Sequence, residues 1–211
     1  MNHKLKNNLI NVAKKHINND LSHDFNHAMR VMNLAVKIAV AEGGNLDIII
    51  PAALFHDVIV YKGSHKYHIE HRKSAEFAKN TLFKIKEYPK EKIKLVEYSI
   101  LVCSFSKNIK PKTLEAKILQ DADLLESTGA VSIMRTFGSS MPMHITAYYD
   151  TKDPFCSKRR PNDKKYSVDL FYTRLFKASK RMHTDTAIKL AKKRDKFLRK
   201  FIMQLGMELN V

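Results

Sequence analysis

Apolar residues recur at three- and four-residue spacing through most of the chain, no strand-like alternation persists, and only six glycines and six prolines interrupt it. The pattern predicts an all-α fold. A short amphipathic helix fits residues 4–18. Ser22 or Asp24 can then accept from the free N–H groups of a helix running to Glu42, which Gly43-Gly44 ends. On it, Phe25, Ala28, Met29, Met32, Ala35, Val36 and Ala39 form one apolar stripe and Val31, Leu34 and Ile38 another. A helix apolar almost all round is buried. The run Ile48 to Val60 predicts a second buried helix, with Pro51 near its start, where a missing N–H costs least. Further helices fit 68–86, 90–106 and 113–128, with Pro89 and Pro111 marking the turns between them.

Gly129 and Gly138 open a different region, and from Thr136 to Lys165 the chain is rich in Pro, Ser, Asp and Lys without sustained periodicity. That predicts a long loop or lid. Two closing helices follow, over 166–181 and 183–208. The expected organisation is one helical domain over 1–211, with its core at about 20–135. No internal repeat or low-complexity tract is present.

Composition narrows the class. No apolar run approaches the roughly 18 residues needed to cross a bilayer, and the Lys-Asn-rich start lacks the apolar stretch of a signal peptide, so a cytoplasmic protein with no membrane partner is expected. Cys103 and Cys156 are the only cysteines, far apart and outside any CxxC spacing, which supports neither a disulfide framework nor a zinc-cysteine site. The formal charge is +17, and residues 150–211 hold 17 Lys/Arg against 7 Asp/Glu. Such a surface attracts polyanions, nucleotides and nucleic acids among them.

Three clusters can carry chemistry. His27 shares its side of a buried helix with Val31, Leu34 and Ile38, where an imidazole needs a partner, whether an ordinary hydrogen bond or a metal. His56-Asp57 ends a run so apolar that an ionised carboxylate there calls for a compensating cation. Asp121 and Asp123 lie within a third apolar helix, but two positions apart they point about 200° from each other and can hardly serve one site equally. Two histidines with carboxylates suit one hard or borderline divalent ion, Mn²⁺, Fe²⁺ or Mg²⁺ ahead of Zn²⁺. Such a set leaves positions for water and a phosphate oxygen, so the ion can activate the water for attack on phosphorus.

The order H…HD…D resembles the signature of the HD-domain superfamily, and the likeness extends beyond those letters. The stretch from His23 to Val31 is similar to the HDxxHxxRV opening of bacterial HD phosphohydrolases, and Ala53 to Val58 to their central HD motif. Glu115 to Ala130 resembles EAKILQDADRLDAxGA, and a closing pattern runs from Phe171 through Met182-His183-Thr184-Asp185 to Arg194. The likeness covers residues 20–208 and implies an HD-type helical bundle. It implies that His27, His56, Asp57 and Asp123 bind the metal, with Asp123 preferred to Asp121 by its Ala-Asp-x-Leu setting. His23 and Asp24 precede the first ligand of the pattern and are assigned capping or support of the ligands, as is Asp121. Leu124 stands where the family often has Arg, Glu126 where it has Asp, and Cys103 where it has His.

The implied activity is metal-dependent hydrolysis of a phosphate ester or anhydride, the substrate a small phosphorylated molecule and, given the basic surface, a nucleotide. Lys62 and Arg72, with Arg30 and Arg135 behind them, are the candidates for holding its phosphates, and no separate general base is identifiable. The competing reading is a basic helical nucleic-acid-binding module with a structural or degenerate metal site. Lys189, Lys192, Lys193, Arg194, Lys196, Arg199 and Lys200 can neutralise phosphates without reading bases. Ile188, Leu190, Ala191, Phe197, Leu198, Phe201 and Ile202 in the same segment also fit a packing helix with a solvated face.

Overall fold

The structure is a computed structural model and describes residues 1–17, 24–61, 69–104, 109–140 and 145–210. Among these, every regular element is helical, and one isolated bridge pairs Ala147 with Tyr166. The chain forms two compact units, Met1–Asp123 and Leu124–Val211.

The first unit holds α1 (His3–His16), α2 (Phe25–Glu42), α3 (Leu46–Phe55), α4 (Glu70–Lys84), α5 (Ile93–Leu101) and most of α6 (Leu114–Leu125). α3 is its centre. It packs against α1, α2, α4 and α5, and its residues from Ile48 to Phe55 are all buried, which is what an unbroken apolar run requires. Asn45 caps it by accepting from the Asp47 N–H at 3.0 Å. Pro51 is the sixth residue of this helix, past the first turn that the sequence suggests for it. Its ring removes the N–H that would meet the Asp47 carbonyl, and the buried Tyr88 hydroxyl donates to that carbonyl at 2.8 Å.

α2 ends at the expected glycines. Gly43 adopts φ +80°, and the Gly43 and Gly44 N–H groups both reach the Ala39 carbonyl. Gly44 is required for a different reason: a Cβ there would stand 2.6 Å from Ile118 Cδ1 and 2.8 Å from Ile49 Cδ1.

In the second unit, α7 (Gly129–Ser140) occupies residues that sequence periodicity assigns partly to the loop. A wide turn at Phe171–Leu175, the single turn α8 (Phe176–Ala178) and a 3₁₀ turn at Ser179–Arg181 replace the regular helix expected at 166–181. α9 (Asp185–Glu208) closes the unit. Phe171, Leu175 and Leu198 form its core, with Ile133, Phe137, Tyr172, Phe176, Phe201 and Ile202 around them. Gly129, at φ +71°, passes so close to Arg194 that a Cβ would lie 3.1 Å from its stem. Arg194 itself donates to the Leu125 carbonyl at 2.9 Å.

Residues 145–170 are tied together by three aspartates. Asp150 accepts from the Lys152 and Asp153 N–H groups and from the Tyr166 hydroxyl. Asp153 accepts from the N–H groups of Ser157, Lys158 and Arg159 and from the Ser157 hydroxyl. The fully buried Asp169 receives both arms of Arg159 and the Asn162 N–H.

Candidate functional site

Helix ends position the candidate residues of the first unit. Asp24 caps α2, its Oδ1 accepting the His27 N–H at 2.7 Å, so the cap fixes the turn on which His27 sits. Its Oδ2 accepts from Asn26. α3 stops one residue short of His56, which is its C-cap, and Asp57 follows in a turn. The turn is held to α4: the Ile59 N–H donates to Ser74 Oγ at 3.2 Å and the Tyr61 N–H to the Glu70 carboxylate.

The side chains then converge. His27 and His56 are both 1 % exposed, and their Nε2 atoms lie 3.3 Å apart. Asp57 Oδ2 is 3.4 Å from His56 Nε2 and 3.7 Å from His27 Nε2. Asp123 Oδ1 is 3.8 Å and 3.7 Å from the same two nitrogens. The two carboxylates form the open side, at 18 % and 27 % exposed. The His56 Nδ1 atom is 2.8 Å from the Ala53 carbonyl, which only an N–H satisfies, so the neutral ring presents its Nε2 lone pair to the cluster.

Lone pairs and carboxylate oxygens facing one another at such distances need a proton or a cation between them. Ligand bonds of about 2.1 Å would set neighbouring donors roughly 3 to 3.5 Å apart, near the separations here. A histidine whose second nitrogen donates to a main-chain carbonyl is also the usual arrangement of a metal ligand. His27, His56 and Asp57 thus form a cluster able to hold a divalent ion, with Asp123 beside it. Cys103, where the family pattern often has histidine, is buried, and burial, with the Asp123 and Asp57 charges, pushes its thiol well above the ordinary range.

The other candidates are distributed as follows. Asp121 is fully buried, while Asp123, two residues on, faces the imidazoles, as the 200° separation requires. Arg30 is half-buried one turn beyond His27 on α2, and Arg72 is exposed on α4. Arg135 belongs to the second unit, 3.8 Å from the buried Glu126 carboxylate. His23 and Lys62 lie outside the described residues. Sequence reasoning missed His71, whose Nδ1 is 4.0 Å from Asp57 Oδ1. The available signal was helical spacing, because His71 shares a stripe with the buried Ser74, Ala75 and Ala78.

The family model described as the HD domain matches residues 24–128, which contain all four converging side chains. YpgQ of Bacillus subtilis is 30% identical over 191 residues, spanning 89% of this chain and 84% of that protein. The chain belongs to the HD-domain superfamily. Solved structures agree with the assignment. YpgQ in complex with ADP superposes with a TM-score of 0.71 at 27% identity, covering 96% of this chain and 97% of that one. An HD-superfamily hydrolase from Bacillus thuringiensis gives 0.72 at 29% identity, covering 99% and 98%. The all-α architecture is the one this HD-domain likeness implies.

In α9 the lysines at 189, 192, 193, 196 and 200 are exposed while Ala187, Ala191 and Leu198 are buried. Amphipathic packing therefore accounts for the charged segment that motivated a nucleic-acid reading. No helix among the described residues is long and apolar enough to cross a membrane.

Proposed function

We propose that this HD-domain protein is a divalent-metal-dependent phosphohydrolase acting on a phosphate ester or anhydride of a nucleotide, with His27, His56, Asp57 and Asp123 holding the ion. The observation that carries the reading is that two carboxylates each come within 3.4–3.8 Å of both Nε2 atoms of a buried imidazole pair whose nitrogens are 3.3 Å apart. Two nitrogen and two oxygen donors without thiolate favour Mn²⁺, Fe²⁺ or Mg²⁺. Support for a nucleotide comes from YpgQ, crystallised with ADP, and from the net charge of +17.

When bound, such an ion supplies Lewis-acid polarisation of phosphoryl oxygens and activation of water at neutral pH. The protein's own part is placement. The Asp24 cap fixes the turn that carries His27, and the Ala53 carbonyl holds the His56 imidazole with its Nε2 inward, while the partly exposed carboxylates leave one side open to substrate. Arg30, near His27 on α2, and Arg72, on α4, are the proposed phosphate contacts, and Lys62 is proposed with them.

The test is phosphate or pyrophosphate release from a nucleotide panel with added Mn²⁺. H56A is expected to lower turnover by at least 10³-fold while circular dichroism stays helical. Full activity in H56A, or after chelation of divalent ions, would overturn the proposal.

A further inference from the structure

Asp57 presents its two oxygens to different neighbours. Oδ2 faces the paired imidazoles, 3.4 Å from His56 and 3.7 Å from His27, whereas Oδ1 faces Nδ1 of His71 at 4.0 Å, a charge contact longer than a hydrogen bond. His71 comes from α4, on the far side of the turn that carries Asp57, and its side chain is only 15 % exposed. The scaffold behind it is fixed, because Ser74, one turn along on the same stripe, receives the Ile59 N–H and so ties α4 to the segment just after Asp57. A carboxylate following a helix end, with no helix of its own, can rotate about both side-chain torsions. Electrostatic attraction between its outer oxygen and a nearby imidazole favours one of those rotamers.

We propose that His71 is a positioning residue for Asp57: its imidazole, through the Nδ1 edge, attracts Oδ1, so that Oδ2 alone is offered to the ion alongside His27 and His56. This rests on the metal-binding reading above, and goes beyond it by assigning a function to a residue that the motif order does not contain. Groups that orient a ligand in this way commonly contribute 10- to 100-fold to metal affinity. A carboxylate left free to swing would instead spend part of its time with both oxygens toward the ion, or with neither.

Mn²⁺ titration of the 211-residue chain by calorimetry tests this, with H56A as the reference that removes a proposed ligand. H71L keeps the approximate volume and removes the polar edge, and it is expected to weaken Mn²⁺ binding by about 10- to 100-fold. H71N, whose side-chain amide overlies Nδ1, is expected to restore affinity to within a few-fold, with kcat at saturating Mn²⁺ close to that of the parent. H71Q moves the amide off that position and should behave like H71L, which covers the case in which H71L does not fold. Unchanged affinity in both H71L and H71Q overturns the assignment. So does H71N failing as H71L does, which would indicate shape rather than electrostatic attraction, or a loss confined to kcat, which would place His71 on the substrate. A parent protein with no Mn²⁺ affinity overturns the metal reading itself, and this assignment with it.

Discussion

Pro51 shows how a single residue that sequence rules would place elsewhere is accommodated. Inside α3 it leaves the Asp47 carbonyl without its helical donor, and the Tyr88 hydroxyl, 41 residues away in sequence, fills that position at 2.8 Å. Burial then pushes the Tyr88 phenol well above its ordinary range, so it stays a donor through the pH range in which an ordinary tyrosine ionises. Y88F keeps the ring and deletes the donor. It should lower unfolding free energy by about 1–2 kcal/mol, because a buried carbonyl loses its partner. Urea denaturation checks this, and a change below about 0.5 kcal/mol would mean that another group replaces the hydroxyl. His56 is a clearer residue to read: an imidazole at the end of an apolar run had to be compensated, and the Ala53 carbonyl and the facing donors do so. His71 was legible only in part: helical spacing puts it on the buried stripe of Ser74, Ala75 and Ala78, but no spacing rule encodes its spatial approach to Asp57.

At the scale of elements, the apolar pattern located α2 to α6 and α9 well: three-and-four spacing records the burial of one face, and the unbroken run of α3 records burial all round. It failed where burial is shared differently. α7 buries Gly129, Ser132, Thr136 and Ser140, small and polar residues that leave no apolar stripe, and so its last turns read as loop. Phe171–Leu175 is wide-turned, and its Phe171 packs on α9 through a stacked contact with Phe201, rings 5.8 Å apart. The Gly43-Gly44 stop was legible, although the two glycines answer to different causes. G43A meets no atom but must hold φ +80°, a conformation costing about 1–2 kcal/mol for a residue with a Cβ. G44A pushes into Ile118 and Ile49, both on the packed face, and should cost about 1–3 kcal/mol through overpacking. Thermal melts separate the two: I118V made together with G44A should recover stability, whereas I118V with G43A should only add a loss.

Charge governs the molecule as a whole, with 38 Lys and Arg facing 21 Asp and Glu. Acid removes the minority sign. Within the second unit the decisive groups are Asp150, Asp153 and Asp169. Hydrogen bonds from the Lys158, Ser157 and Arg159 N–H groups and the Ser157 hydroxyl, the first the strongest, hold Asp153 down to about 2 from an ordinary 3.8. Asp150 is lowered mainly by the Tyr166 hydroxyl. Burial pushes Asp169 up, but the Arg159 guanidinium and the Asn162 N–H outweigh it, so the net direction is downward. Each folded-state value lies below the unfolded one, so the native state binds fewer protons than the unfolded chain. The stabilisation is complete above about pH 4 and is lost as pH falls toward 2. Acid unfolding followed by tryptophan-free probes, such as tyrosine fluorescence or amide exchange at Tyr166 and Val168, should therefore show the 145–170 segment opening across that window. D153N, which cannot titrate and accepts fewer hydrogen bonds, should already be weakened at pH 7 and show a flatter dependence between pH 4 and 2. An acid limb equally steep in D153N and parent would assign the acid sensitivity to general charge repulsion among the lysines instead.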